Sequence, residues 1–220
     1  MENIKDYRDH ELKSYVIANI LMVLIITEVF TGESGSNGTS MTDLITNIIE
    51  SAIFSSILYV YVFILDSLIP SKVKDVISLP ITGVLPASSI FTKIECNTAD
   101  VRFTSEDVKE KYSDVYLHMP TDKKAMKHYQ NSCWYKIMQK YKDDKKIFIS
   151  HRDYLLCRDM TSMTCIFAIL YLSLSWMGVL DISSKMLYFL LVEYLITMVS
   201  TRVKAKRFTY NVIAQDLAKK

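Results

Sequence analysis

The chain alternates long apolar runs with strongly charged segments, and this alternation is its most informative pattern. The longest run, residues 160–180, holds 21 residues without Asp, Glu, Lys or Arg. A helix of about 20 such residues spans the hydrocarbon core of a bilayer. The core helix of a soluble domain rarely needs an uncharged run of this length, so residues 160–180 predict a transmembrane helix.

Three further runs bring the predicted number of spans to four. They comprise residues 14–31, 44–66 and 186–201, each apolar except for one or two acidic residues. A signal peptide is the rival interpretation of the first run, but that run has no strongly basic start and no A-x-A cleavage site. The predicted fold is an all-α integral membrane protein with four transmembrane helices, arranged as two hairpins around a mainly helical insert.

Lys and Arg near the ends of the spans predict the orientation, because they are retained preferentially on the cytoplasmic side. Three precede the first span, none lies in residues 31–43, sixteen lie in residues 70–159, one lies in 181–185 and six follow from residue 202 onward. This alternation predicts a multi-pass inner-membrane protein whose N- and C-termini and whose residues 70–159 are cytoplasmic.

The chain therefore divides into four predicted parts. They are an N-terminal cytoplasmic segment with the first hairpin (1–69), a cytoplasmic insert (70–159), a second hairpin (160–201) and an amphipathic cytoplasmic tail (202–220). The second hairpin is the tighter one, since its spans, 160–180 and 186–201, are joined by only a few residues.

The insert is long enough for a small folded module but marginal for a hydrophobic core of its own. Residues 104–118 predict a helix that opens with a hydroxyl cap and acidic residues. A second helix is predicted over residues 120–142, and a third from about Ser150 into the third span. Short β-branched and aromatic stretches at 89–95 and 99–104 predict a strand pair before these helices.

The tail carries an apolar stripe at helical spacing, formed by Val203, Phe208, Val212 and Leu217. The stripe fits either a helix packed on the insert of the same chain or a docking surface for a partner. The first interpretation is favoured because the insert needs additional core. The lysines of residues 136–146 indicate a face near anionic headgroups rather than a nucleic-acid site, since Asp143 and Asp144 interrupt them.

Five polar residues of the predicted spans are the candidates for a functional role: Glu193, Glu50, Glu28, Asn47 and Asn19. A carboxylate at membrane depth is costly unless it is paired, protonated or hydrated. Glu28 lies near the outer end of its span and Glu50 somewhat deeper, whereas Glu193 lies near the middle. Two interpretations of Glu193 stay open: a protonated side chain hydrogen-bonded across the bundle, or a carboxylate facing a water-filled path in a ring of identical subunits.

No motif of the chain indicates catalysis or a cofactor site. The sequence has no G-x-x-x-x-G-K-[ST], G-x-G-x-x-G, G-x-S-x-G or H-E-x-x-H motif, and its five glycines leave no phosphate-binding loop. Its four cysteines form no C-x-x-C pair and its four histidines no H-x-x-x-H pair. We therefore expect no enzyme activity, no cofactor and no metal.

These expectations together favour a non-enzymatic effector that disrupts the inner membrane under the control of a cytosolic protein partner. The partner is expected to bind residues 70–159 or the tail, and the polar residues of a small bundle indicate a homo-oligomer. Small proteins of anti-phage defence share this layout, so antiviral defence is the expected setting, by analogy of architecture alone. A membrane sensor or anchor that recruits a cytosolic partner and a small ion channel are the alternatives.

Overall fold

The structure, a computed structural model, describes residues 10–26, 46, 49, 53, 57, 60–80, 86–96, 100–179 and 182–218. Every regular element in these parts is helical, and none of them contains a β-strand. The prediction of an all-helical fold is therefore confirmed for the part of the chain that the structure describes.

The helices are named in chain order. They are α1 (Glu11–Ile26), α2 (helical residues 60–68, with 46, 49, 53 and 57 also helical), α3 (Ser71–Ser78), a 3₁₀ helix (Pro86–Ser89), α4 (Ile90–Cys96), α5 (Ser105–Lys111), α6 (Ser113–Leu117), α7 (Lys123–Lys140), α8 (Lys145–Trp176) and α9 (Ser184–Ala218).

The two longest helices, α8 and α9, connect the parts of the structure. They contain 32 and 35 residues, which corresponds to about 48 and 52 Å of helix. Each includes an apolar stretch long enough to cross a membrane, and the hydrocarbon core is only about 30 Å thick. Each helix could therefore cross a bilayer and extend about 20 Å beyond it. Among the described residues two helices meet this test, so the count of four spans stays a prediction.

The first hydrophobic core, the bundle core, lies among α1, α2 and the more apolar halves of α8 and α9. Its buried side chains are Leu12, Val16, Ile20, Val62, Met163, Ile166, Phe167, Tyr171, Met186 and Leu190. Leu12, Val16 and Ile20 follow one another at four-residue steps, so α1 presents one continuous apolar face to this core.

The second core, the insert core, lies among the 3₁₀ helix, α4, α5, α7 and the opposite halves of α8 and α9. Its buried side chains are Ala87, Ile90, Phe91, Ile94, Phe103, Val108, Tyr112, Trp134, Ile137, Met138, Ile147, Tyr154, Ala205, Phe208, Tyr210, Val212, Ile213 and Leu217. Trp134 and Phe208 meet edge to face at 5.2 Å between ring centroids, a favourable aromatic geometry. α8 and α9 contribute to both cores and therefore connect them.

The predicted strand pair is wrong. Residues 89–95 lie at the end of the 3₁₀ helix and in α4. Ile90, Phe91 and Ile94 are all buried, and their spacing of one and four residues places them on one face of a helix. The β-branched and aromatic content of this segment therefore serves helix packing, because burial in the insert core outweighs local β-propensity.

The helix predicted over residues 104–118 begins where expected but is broken. Thr104 accepts a hydrogen bond from the amide of Asp107, and the Asp107 carboxylate accepts one from the amide of Thr104, which completes a capping box. At Tyr112 the backbone leaves the helical conformation, with φ −108° and ψ 23°, and separates α5 from α6.

The other two predicted helices of the insert are present, with different ends. Asp122 caps α7 by accepting from the amide of Ala125 at 2.8 Å, and the helix ends at Lys140 rather than residue 142. α8 begins at Lys145 rather than near Ser150, because the Asp144 carboxylate accepts from the amides of the first turn. From there α8 continues without a break into the third predicted span.

The tail packs on the insert of its own chain, which is the interpretation favoured above. α9 runs uninterrupted to Ala218, and Phe208, Val212 and Leu217 of the predicted stripe are buried in the insert core. The fourth member of the stripe was assigned wrongly, since Val203 is 59% exposed. The Trp134 indole N–H donates to the backbone carbonyl of Thr209 at 3.2 Å, which fixes the register of the tail against α7.

The link between α8 and α9 is slightly longer than predicted, since it comprises residues 177–183 and not 181–185. α8 ends at Trp176 instead of residue 180, and Gly178 follows with a positive φ of 74°, a conformation that glycine adopts at little cost. The Tyr171 hydroxyl accepts a hydrogen bond of 2.7 Å from the amide of Ser183 and so ties the end of α8 to the start of α9. The two helices are thereby held antiparallel.

Candidate functional site

A polar cluster lies inside the bundle core, around Glu193 of α9. The Asn19 side chain of α1 donates a hydrogen bond of 2.7 Å to Glu193 Oε1. The second carboxylate oxygen, Oε2, is buried and has no hydrogen-bond partner among the described residues, and neither does Asn19 Oδ1. The structure thus brings together two of the five sequence candidates across the helix pair α1–α9.

A second hydrogen bond of this cluster joins α1 to α8. The Tyr15 hydroxyl lies 2.6 Å from Thr164 Oγ1, and Tyr15 also interacts electrostatically with Glu193. Because Tyr15 and Asn19 are one helical turn apart, both face the same side of α1. The cluster therefore connects three helices through one hydrogen-bonded group, which we call the bundle cluster: Tyr15, Asn19, Thr164 and Glu193.

The bundle cluster lies within the apolar stretches of α8 and α9, with Glu193 deeper than Thr164. Glu193 precedes Thr201 by eight residues, a distance of about 12 Å along α9. Thr164 lies four residues beyond Met160, the first residue of the apolar run of α8, so the Tyr15–Thr164 contact is about 6 Å into that run. The three remaining candidates, Glu28, Glu50 and Asn47, lie outside the described residues.

A more strongly charged group lies where the two cores meet. The Lys74 ammonium of α3 lies 2.5 Å from Asp66 Oδ1 of α2 and 3.5 Å from Asp159 Oδ1 of α8. The Ser162 hydroxyl donates to the same Asp66 oxygen at 2.9 Å. Lys74, Asp66 and Asp159 are only 3%, 1% and 1% exposed. A lysine and two carboxylates are therefore almost completely removed from solvent.

Arg158 extends this group toward the insert core. Its guanidinium lies 3.0 Å from Asp159 Oδ1 and 3.4 Å from Asp75 Oδ1. The Tyr154 hydroxyl donates to the same Asp75 oxygen at 2.9 Å. Burial, together with the Asp75 charge, raises the pKa of Tyr154, which keeps its hydroxyl protonated as a donor. We call the five charged residues the junction network: Asp66, Lys74, Asp75, Arg158 and Asp159.

The chain geometry between α2 and α3 explains how the junction network forms. Asp66 lies in the last turn of α2, and Pro70, with φ −61° and ψ 144°, precedes the first residue of α3. Proline cannot continue α2 but suits the start of a new helix. The chain therefore turns at Pro70, and Lys74 in the first turn of α3 comes to lie beside Asp66.

Neighbouring contacts fix α3 against both long helices at the same level. The Tyr194 hydroxyl of α9 donates to the carbonyl of Ile77 at 2.9 Å, and Ser78 donates to the carbonyl of Arg158 at 3.2 Å. The Thr161 and Thr201 hydroxyls lie 3.0 Å apart between α8 and α9. We call these contacts, together with the junction network, the polar layer; it lies between the bundle core and the insert core, and Leu155 packs against both cores.

The junction network is expensive to bury. Moving each charge out of water costs several kcal/mol, and mutual attraction offsets this cost only when the geometry is good. Three carboxylates and two cations share the site, so every cation lies between two carboxylates. A protein with hydrophobic residues of similar volume at these positions would often be equally stable. We therefore interpret the network as a source of conformational specificity or switching and not of stability.

His151 lies beside the junction network in the insert core, stacked on Phe208 at 4.6 Å between ring centroids with an interplanar angle of 4°. Burial, and secondarily the Arg158 charge, lower the pKa of His151 to about 4 from its usual 6.5. Between these two pH values the unfolded chain binds a proton at this histidine and the folded chain does not. The folded state therefore loses stability as the pH falls through this window.

We expect acidification from pH 7 to pH 5 to lower the free energy of unfolding by about 2 kcal/mol through His151. The His151→Phe variant keeps an aromatic stack but cannot titrate, so its stability should fall less over the same interval. The measurement is thermal or denaturant unfolding at each pH in detergent micelles. His128→Gln, on the exposed face of α7, is the matched control and should retain the full pH dependence. Equal pH dependence of wild type and His151→Phe would contradict the assignment.

The described part of the chain is all-helical, and two of its helices are long and apolar enough to cross a membrane. No protein-family model, curated protein or solved structure matches the chain. The function is therefore inferred from the contacts described above.

Proposed function

We propose that the chain is a four-span inner-membrane protein with cytoplasmic termini, in which α1, α2 and the apolar parts of α8 and α9 form the transmembrane bundle. Large apolar side chains that are at least 36% exposed support this placement. They include Ile17, Leu21, Ile25, Ile49, Ile53, Ile57, Ile64, Ile169, Leu172, Leu191, Leu195, Ile196 and Val199. A soluble chain rarely exposes so large a contiguous apolar surface.

The burial of α9 adds support for the same placement. Only 22% of its apolar stretch is buried within the chain, compared with 44% for α8. The central helix of a soluble core would be mostly buried, whereas a lipid-facing helix leaves most of its apolar side chains for the acyl chains. The insert and tail then extend from one side of the membrane, since both long helices enter the insert core.

Labelling of Cys96 tests the orientation. This cysteine is a free, exposed thiol in the insert. In a variant that retains Cys96 as its sole cysteine, a membrane-impermeant maleimide should label it only after the inner membrane is opened. An added cysteine at Ser36, in the predicted external loop, should be labelled in intact spheroplasts. Labelling of Cys96 in intact spheroplasts would show that the orientation is wrong.

We infer that the protein is a non-enzymatic membrane effector that disrupts the inner membrane under the control of a cytosolic partner. The junction network is the observation that carries this inference. It joins α2 of the bundle, α3 of the insert and the long helix α8 through buried charges. These charges are paired in the observed arrangement of the helices, and leaving them buried without a partner would cost several kcal/mol. Such a group resists small displacements of the helices, so we propose that the partner acts by breaking it as a unit.

The partner is proposed to act on the insert. The apolar face of the tail is already buried in the insert core, so the exposed faces of α5, α6 and α7 are the available surface. Binding there would displace α8 or α9, and both helices continue into the bundle. A homo-oligomer is part of the proposal, because polar residues in the spans of a small bundle, such as Asn19 and Glu193, favour association between helices. Anti-phage defence remains the proposed setting, by analogy of architecture.

Expression of the full chain without its partner should depolarise cells and arrest growth. A membrane-potential dye measures the effect, with an unrelated four-span protein expressed to the same membrane level as the control. A harmless chain that retains a soluble protein through the insert would support a sensor or anchor instead. Ion currents from the purified chain in planar bilayers, with no trigger, would support a small ion channel. Either result would contradict the effector proposal.

A further inference from the structure

A groove of about 380 Å³ lies between α8 and α9, on the insert side of the polar layer. Eight residues line it: Lys145, Lys146, Ile149, Ser150, Asp153, Lys204, Arg207 and Asn211. Four of these side chains are cationic and one is anionic. The lining of the groove is therefore strongly basic.

The positive charge of the groove is only partly compensated. Lys204 Nζ lies 2.7 Å from Asp153 Oδ2, and Arg152 approaches the other oxygen of Asp153 at 3.7 Å. Within the described residues, Lys145, Lys146 and Arg207 form no ion pair with a carboxylate. Arg207, at the end of the groove nearer the bundle, is thus available to a bound anion without the loss of an ion pair, whereas Lys146 already interacts with the Asp100 charge.

The side chains, and not the end of a helix, supply the positive charge. α8 begins at Lys145, beside the groove, but the Asp144 carboxylate already accepts from the amides of Lys146 and Ile147 at 3.0 and 3.4 Å. Those amides are not free for a ligand. An anion in the groove would be held by ammonium and guanidinium groups, of which the Arg207 fork suits a phosphate especially well.

The level of the groove points to the source of the anion. Lys204 and Arg207 follow Thr201, the last residue of the fourth predicted span, by three and six residues, or about 4.5 and 9 Å along the helix. The headgroup layer on each side of a bilayer is about 5–8 Å thick. Lys145 and Lys146 precede Met160, the first residue of the third predicted span, by 15 and 14 residues, or about 22 and 21 Å along the helix. In the membrane placement proposed above, the end of the groove at Lys204 and Arg207 is therefore the part that lies beside the lipid phosphates on the cytoplasmic side.

We propose that this groove binds the phosphate-bearing headgroup of an anionic lipid from the cytoplasmic leaflet. Basic pockets between helices at this surface are suited to such headgroups. The lipid phosphate would be held between α8 and α9, on the insert side of the polar layer. Occupancy would hold the two helices together at the level where they enter the insert core, so the lipid would favour the packed arrangement seen in the structure.

Lipid titration of the full chain in neutral detergent tests the proposal. Phosphatidylglycerol in mixed micelles should raise the unfolding temperature and remain bound in native mass spectrometry, whereas phosphatidylcholine should do neither. The double variant Lys146→Gln/Arg207→Gln breaks no ion pair of the structure, and it should weaken phosphatidylglycerol binding about fivefold, chiefly through Arg207. Lys127→Gln/Lys136→Gln, on the exposed side of α7, is the charge-matched control and should bind as the wild type does.

Three results would overturn the proposal. They are equal stabilisation by phosphatidylcholine, a Lys146→Gln/Arg207→Gln variant whose affinity is within twofold of wild type, and equal stabilisation by inorganic phosphate or glycerol phosphate at the same concentration. The last result would assign the groove to a soluble phosphate compound instead of a lipid. Because binding is measured on purified protein in micelles, its failure is separate from a failure of the depolarisation experiment.

Discussion

Replacing Lys74 with methionine should lower the free energy of unfolding by about 3–5 kcal/mol. The substitution removes an ammonium that lies 2.5 Å from Asp66 and 3.5 Å from Asp159, both 1% exposed. Asp66 would lose its close counter-charge while remaining buried, which costs more than the pair itself contributes. Methionine retains most of the volume of the lysine stem, so the loss is electrostatic and not the result of a cavity. Thermal or denaturant unfolding in detergent micelles measures the effect.

Lys72 provides the matched control on the same helix. It is exposed and forms no ion pair among the described residues. Lys72→Met removes the same charge from α3 and should change the stability by less than about 0.5 kcal/mol. If Lys74→Met is no more destabilising than Lys72→Met, the junction network does not form as described.

A second substitution separates the buried charge from the loss of contacts. In Lys74→Met/Asp66→Asn, the asparagine can still accept the hydrogen bond from Ser162, and Asp159 keeps Arg158 at 3.0 Å. The double variant should therefore recover most of the stability lost in Lys74→Met. The coupling between the two sites should be about 2–3 kcal/mol, because both residues belong to one buried charge network. Additive effects would contradict a direct Lys74–Asp66 interaction.

The parts of the fold that follow from local chemistry could be predicted from the sequence. The hydroxyl cap at Thr104 marks the start of α5 in both the sequence and the structure, and the second predicted helix, from residue 120, begins within three residues of the observed start of α7. The uncharged run of α8 and the tail stripe around Phe208 also follow from spacing alone. These features depend on residues close together in the chain.

Features that depend on tertiary burial were missed. The segment around Phe91 has strand-like composition, and its helical conformation follows from packing in the insert core, which no local pattern reports. The early start of α8 depends on one side chain, Asp144, that also accepts from Gln215 of the tail at 2.7 Å. The contact between Asp144 and the distant Gln215 cannot be read from the sequence, which shows only that residue 144 is an aspartate.

The junction network was missed because its members looked ordinary one at a time. Arg158 and Asp159 immediately precede the apolar run of α8, and Asp66 only interrupts another apolar run. The signal in the sequence is the order of three residues: Asp66 in the last turn of α2, then Pro70 between the helices, then Lys74 in the first turn of α3. That order brings Asp66 and Lys74 together when the chain turns at Pro70. The contribution of α8 depends on the tertiary fold and had no such signal.

Glu193→Gln should reduce the rate of membrane depolarisation by about tenfold or more at matched membrane levels. A tenfold change corresponds to about 1.4 kcal/mol in a barrier, and a charge at membrane depth is worth more than that. Glutamine is nearly isosteric and keeps an oxygen that can accept the 2.7 Å hydrogen bond from Asn19. The bundle should therefore stay folded while the carboxylate is lost. Glu110→Gln, on the exposed face of α5, is the control for removal of an acidic residue.

Asn19→Leu distinguishes the two roles that Glu193 could have. This variant removes the hydrogen bond across α1 and α9 but retains the carboxylate, whereas Glu193→Gln retains the bond and removes the charge. If the carboxylate acts in the disruption of the membrane, Glu193→Gln should be the less active variant. If the hydrogen bond only holds the bundle together, Asn19→Leu should lose both stability and activity, and Glu193→Gln should be as active as the wild type. The second pattern would remove the Glu193 charge from the mechanism, because the same pair of residues would then serve packing alone.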